Sequence, residues 1–332
     1  MPLEKPPATM SAYQRSTNTG VPIMPAQPFR ATTCLSLGLA MFVAVLAGAS
    51  SAAGAEHVDI PNLMFQKSVN LVLSVSDVEA SKEFYGEVLK LKPTANLNLP
   101  GGLVMTRYQV GTSEIKLLHS DATKKTETGP VDAAIGIRRL TLHFPDEQAI
   151  VERFEAVGRE APAFTSVQDG SRRTTVTDPD GIHIELVIPP EGAPEDAFDS
   201  IELRLTVSDL EKSREFYRDF IGFEESGPRK APDPGCSDLY SYRFGNTTIT
   251  IGSFGADLPV HAGRWEKAFG LRFVQYIVQD LDAVNEFAKV RGVTIEQPIF
   301  PLGRLARIMF IADPDGIINE FVGLPIPVKP AK

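Results

Sequence analysis

An eleven-residue stretch of this chain occurs twice. Val75-Ser-Asp-Val-Glu-Ala-Ser-Lys-Glu-Phe-Tyr85 returns as Val207-Ser-Asp-Leu-Glu-Lys-Ser-Arg-Glu-Phe-Tyr217, 132 residues later, with eight of the eleven positions identical. A second pair, Asp178-Pro-Asp-Gly-Ile182 and Asp313-Pro-Asp-Gly-Ile317, recurs at an offset of 135. A self-similarity at fixed spacing constrains the fold more than any single motif, because each copy must form the same supersecondary unit. Around the repeats the pattern is strand, helix, then strands. Val69–Val75 alternates as a strand should, Asp77 is placed to cap the following helix, and Leu103–Val110 and Glu114–Leu118 form a strand pair across Gly111-Thr112. The same order is expected from Arg139, with a helix over Glu147–Val157 and a hairpin at Asp178-Pro-Asp-Gly. It is expected twice more, over Ile201–Ile251 and Leu271–Val322. The class is therefore α+β, with four βαβββ modules.

The first 55 residues read differently. Six prolines fall within the first 28, without apolar periodicity, which predicts disorder. Arg30, the apolar run Leu35–Ala49 and the Ala53-Gly-Ala55 site then form the parts of a secretory signal peptide, with Met24 a second candidate start. The competing reading is an uncleaved anchor, but that run is short for a span of about 20 residues. Cleavage near Ala55 predicts a secreted or periplasmic protein without a stable membrane span. It removes three of the 33 basic and one of the 42 acidic residues, so the remaining 277 carry a formal net charge of −11. Nucleic acid is a poor partner for such a chain, which is expected as a monomer or homodimer. Only Cys236 then remains, in a Pro/Gly-rich loop, so no intramolecular disulfide forms.

The two repeats in this order resemble the vicinal oxygen chelate (VOC) superfamily, which contains glyoxalase I, extradiol dioxygenases and the bleomycin resistance proteins. The likeness covers about residues 67–324. It implies modules paired into two half-barrel domains, residues 67–188 and 201–324, joined by the linker 189–200 and followed by a tail, 325–332. It also implies a metal held by four strand positions per half-barrel, usually His or Glu.

Carried over residue by residue, those positions are Asn70, Lys116, Arg139 and Glu185 in the first half. In the second they are Glu202, Thr250, Phe273 and Glu320, with Gln275 a further cleft candidate. Two fixed cations and an amide make a poor divalent site, so the first half is expected to be metal-free, with Arg139 and Lys116 balancing Glu185. Glu202 and Glu320 would either share a weak hard cation or be paired by Arg204. A displaced metal site at His143, His183 and Glu185 is the remaining alternative, whereas His57, His119 and His261 are expected to be exposed. No cofactor is expected. The functional expectation is a binding module holding a small molecule in a concave cleft. The alternative is a glyoxalase- or dioxygenase-like enzyme with Glu185 or Glu320 as base or metal ligand.

Overall fold

The computed structural model describes residues 58–120, 128–261, 263, 264 and 266–324. The expected signal segment, the alternative start and the tail lie outside them. Among the described residues no helix is long and apolar enough to cross a membrane.

Each of the four units is a βαβββ module. The first contains β1 (Asn70–Val75), a helix, β2 (Lys92–Asn98), β3 (Val104–Val110) and β4 (Ser113–His119). The second contains β5 (Gly136–His143), a helix, β6 (Thr165–Ser166), β7 (Arg172–Thr177) and β8 (His183–Ile188). The third contains β9 (Ile201–Thr206), a helix, β10 (Glu224–Arg229), β11 (Leu239–Phe244) and β12 (Thr247–Gly252). The fourth contains β13 (Gly270–Val278), a helix, β14 (Ile295–Leu302), β15 (Ala306–Ala312) and β16 (Ile318–Gly323). Asp77 and Asp209 cap their helices as expected, each carboxylate accepting backbone N–H bonds of the first turn. Both helices continue into a π-helical turn, Glu83–Val88 and Glu215–Phe220, which carries the repeated Glu-Phe-Tyr.

The modules do not pair in sequence order. One eight-stranded sheet runs β14-β15-β16-β13-β1-β4-β3-β2 and joins the first module to the fourth; the other runs β10-β11-β12-β9-β5-β8-β7-β6 and joins the second to the third. The expected pairing of consecutive modules is corrected. The segment 189–200, read as a linker between halves, connects the second module to the third, whose strands share one sheet. It closes with the 3₁₀ turn Glu195–Asp199 and returns the chain so that β9 runs antiparallel beside β5, from Gly136 opposite Thr206 to Leu142 opposite Ile201.

The repeated motifs bind one another. Tyr85 Oη donates to Asp178 Oδ2 at 2.9 Å, and the Ser76 N–H donates to Asp180 Oδ2 at 3.0 Å, with the Ser76 hydroxyl on the other oxygen. The second copy repeats this: Tyr217 Oη to Asp313 Oδ2 at 3.1 Å, and the Ser208 N–H to Asp315 Oδ2 at 3.0 Å. Within each turn the buried aspartate also accepts two backbone N–H bonds, from Asp180 and Ile182 or from Asp315 and Ile317. The helix entry of one module is thereby tied to the hairpin of the next, across the two sheets.

The main apolar core fills the space on the helix-covered faces. Leu71, Leu73, Ile115, Leu117, Val274, Tyr276 and Phe321 point into it from the first sheet. Leu140, Leu142, Ile184, Leu186, Leu203, Leu205, Ile249 and Ile251 point into it from the second. Since side chains alternate along a strand, the intervening residues line the opposite face of each sheet.

Two outcomes test the lock. Tyr217→Phe removes one donor from a buried carboxylate and should cost about 1.5–3 kcal/mol in urea unfolding, the range for bonds to charged groups. Burial pushes the Asp178 carboxyl up to about 6 and that of Asp313 up to about 7, against the lowering effect of their backbone donors. A folded pKa above the unfolded value of about 4 means that the native state holds the proton more tightly. The contribution is complete below about pH 4 and is lost as pH rises through about 6 and 7. Asp313→Asn should therefore flatten the fall in stability between pH 4 and 7; an unchanged profile would contradict the assignment.

Candidate functional site

The inner face of the first sheet carries a cleft of about 520 Å³. Its walls are apolar: Met105 and Leu118 from the first module, Phe273, Ile277, Ile308, Phe310 and Val322 from the fourth. Phe310 contacts Phe273 and Phe300, with ring centroids 5.9 and 6.0 Å apart. The sheet curls until its two ends meet. The β2–β3 and β14–β15 turns approach so closely that a Cβ added at Gly303 would sit 3.3 Å from Pro100 Cγ, and Gly303 has φ +56°. Leu99, Leu103, Leu302 and Leu305 of these two turns also line the cavity.

At the floor the strand register gathers four of the expected residues. Asn70 lies opposite Gln275, and Gln275 opposite Glu320. Lys116 Nζ donates to Gln275 Oε1 at 2.5 Å, and Asn70 Nδ2 reaches the same oxygen at 3.2 Å. Gln275 Nε2 donates to Glu320 Oε2 at 2.6 Å. Asn70 Oδ1 accepts the Glu114 backbone N–H at 2.9 Å, which fixes its orientation. Lys116 also pairs with Glu114 at 3.2 Å, and Arg107 with Glu114 at 3.2 Å.

Burial is the dominant electrostatic influence on both ends of this chain. It raises the pKa of Glu320, against the lowering effects of Gln275 and Lys116. It lowers that of Lys116, against Glu114 and Glu320. Both groups are thus shifted toward their neutral forms.

The second sheet offers a different surface. Here the register sets Thr141 opposite both Glu202 and Glu185, so Thr141 and not Arg139 occupies the position equivalent to Gln275. Arg139 does pair with Glu185, at 3.6 Å, but Arg173 is as close at 3.4 Å and Thr141 Oγ1 donates at 3.1 Å. Lys116 takes no part, since it belongs to the other sheet.

Glu202 and Glu320 are likewise in separate sheets and share nothing. Glu202 pairs with His143 at 3.6 Å, not with Arg204. Arg204 is buried and donates to the Leu205 carbonyl at 2.8 Å and to Cys236 Sγ at 3.0 Å. Thr250 bonds Ser241 at 2.8 Å, and His183 lies beside Arg139 in the register. Burial, then Arg138 and Arg139, lower the His183 pKa. His143 and His183 do not converge with Glu185, and among the described residues no group of three His, Cys, Asp or Glu could hold a metal ion. His261, expected to be exposed, is buried against Arg272 because Val260 bridges to Ile135.

The scan against family models matches residues 67–186 and 198–321 to "Glyoxalase/Bleomycin resistance protein/Dioxygenase superfamily". The chain belongs to this superfamily. Its architecture is similar to that of glyoxalase I from Zea mays, at 20% identity and a TM-score of 0.58, over 80% of this chain and 95% of that one. A mutant form of the maize enzyme aligns at 21% identity and a TM-score of 0.59, over 77% and 92%. A dioxygenase-like protein from Bacillus subtilis aligns at 17% identity and a TM-score of 0.53, over 77% and 84%. At these identities the likeness is one of fold. A search of curated proteins gave no match.

The superfamily's metal chemistry does not fit these residues. In the first sheet the four positions hold Asn70, Lys116, Glu320 and, by register, Gln275 in place of the expected Phe273, so a divalent ion would meet an ammonium already bonded to two partners. In the second, Glu185 is held by two arginines and a threonine, and Glu202 faces His143. Sequence reasoning missed Glu114 and Arg107, although Glu114 lies two residues before Lys116 and so shares its strand face. It also missed Thr141 and Arg173, which only the register reveals.

Replacing Gln275 by Leu keeps the volume and removes the bridge. Glu320 then loses its donor and Lys116 one of its two acceptors, and the variant should be destabilised by about 2–4 kcal/mol in denaturant titration. A cost under about 0.5 kcal/mol would show that Lys116 and Glu320 do not depend on it.

Proposed function

We propose that this superfamily member is a small-molecule binding protein whose ligand occupies the cleft of the first sheet. The observation that carries the reading is the cleft itself: apolar walls around a small, pre-ordered polar floor, in a volume typical of ligand pockets. On the inner face of the second sheet charged and hydroxyl side chains bond one another. The expected export signal agrees with a protein that meets its ligand outside the cytoplasm.

A second reading has one specific support, the raised pKa of Glu320 at the cleft floor. A carboxyl tuned upward suits proton transfer to or from an enclosed substrate, with Glu320 as acid or base. Glu185, the other expected base, is held between Arg139 and Arg173.

Ala306 lines the cleft and is small. Ala306→Trp should fill it, abolishing the rise in Tm that an apolar aromatic probe gives the parent, while leaving unfolding within about 1 kcal/mol of the parent if the ring enters existing space. A parent that no such probe stabilises, or a variant stabilised equally well, would overturn the reading.

A further inference from the structure

The chemistry of the cleft also defines the kind of ligand, if the binding reading above is right. Among the described residues six charged ones line it: Arg107, Lys116 and Arg264 against Glu114, Glu266 and Glu320. The charges cancel. Arg107 and Lys116 converge on Glu114, and Arg264 pairs with Glu266 at 2.5 Å. A charged ligand would leave an uncompensated charge in an apolar enclosure, at a cost that the remaining contacts must offset.

The orientation of Gln275 then decides what the floor offers. An ammonium can only donate, so the atom 2.5 Å from Lys116 Nζ must be the amide oxygen. Nε2 is therefore turned to Glu320, and Oε2 of that carboxyl must accept. Two functions are left over: Oε1 of Glu320, and the third N–H of Lys116 after Gln275 and Glu114 have taken two. One is an acceptor and one a donor, and they flank the Gln275 carboxamide that both groups bond. Three phenylalanines and a set of leucines enclose the remaining volume.

We propose that the cleft takes an uncharged, largely aromatic ligand with a single hydroxyl head, which donates to Glu320 Oε1 and accepts from Lys116. A hydroxyl is the smallest group that answers both functions at once, and an ether answers only one.

The test is equilibrium binding at pH 8 with four probes of one shape: 2-naphthol, 2-methoxynaphthalene, 2-naphthoate and 2-naphthylmethylamine. The parent should bind 2-naphthol at least tenfold more tightly than each of the others. Glu320→Gln is nearly isosteric, and Gln275 forces its amide oxygen inward, so that an N–H replaces Oε1. The naphthol preference over the methoxy compound should then shrink to threefold or less. A parent that binds the amine or the carboxylate best overturns the charge argument. A naphthol preference unchanged in Glu320→Gln overturns the assigned head site. Either result leaves cleft binding intact if Ala306→Trp abolishes it. If none of the four probes binds the parent, the binding function itself fails and this inference fails with it.

Discussion

A buried carboxylate that accepts from a neighbouring module holds this molecule in its arrangement. Asp178 and Asp313 are almost fully buried, and each gathers a tyrosine hydroxyl and two backbone N–H groups. Burying a carboxyl is costly unless its oxygens are satisfied, and here satisfaction requires two modules to be in place together. The locks join the first module to the second and the third to the fourth, while the sheets join the second to the third and the fourth to the first. The four modules thus close into a ring in which every consecutive pair is connected. This explains why both motifs occur twice: the helix entry and the Asp-Pro-Asp-Gly turn are the two halves of one contact.

Pairing the first module with the fourth has a functional consequence. It places Asn70 and Lys116 against Gln275 and Glu320, residues about 200 positions apart in the chain. Neither group alone would be a site. Together they form a charge-balanced floor whose amide orientations are dictated by a lysine that can only donate. The equivalent positions of the second sheet carry Glu202, Thr250, Thr141 and Glu185, and there Glu185 contacts two arginines and Glu202 contacts His143. One scaffold thus carries two different sets of side chains at equivalent positions, and the difference lies in which side chains alternate outward from the core.

Some of this was visible in the chain. The helix entries capped by Asp77 and Asp209, the Asp-Pro-Asp-Gly hairpins and the central strands were legible because their signals are local. Each depends on a capping side chain, a turn or an alternation within ten residues. The outer strands were not. β2 reads Lys-Pro-Thr-Ala-Asn-Leu-Asn and is largely exposed, so apolar alternation is weak, and β10 includes Gly227-Pro228. A clue to the cleft was present in β15, where Ile308-Met-Phe-Ile-Ala312 is apolar on both faces. Such a strand must be covered on both sides, by the core on one and by a cleft or its contents on the other.

The sequence by itself determined the module, its fourfold repetition, the superfamily and the strands on which Asn70, Lys116 and Glu320 lie. It also implied a poor metal site, because no arrangement turns an ammonium into a good ligand for a divalent ion. Only the tertiary structure decided which modules share a sheet, and with that which residues meet. Strand register between distant modules is set by long-range backbone pairing and by the locks between motifs, neither of which leaves a local trace. That is why Arg139 gave way to Thr141, why Glu202 and Glu320 separated, and why Lys116 found Gln275 instead of Glu185.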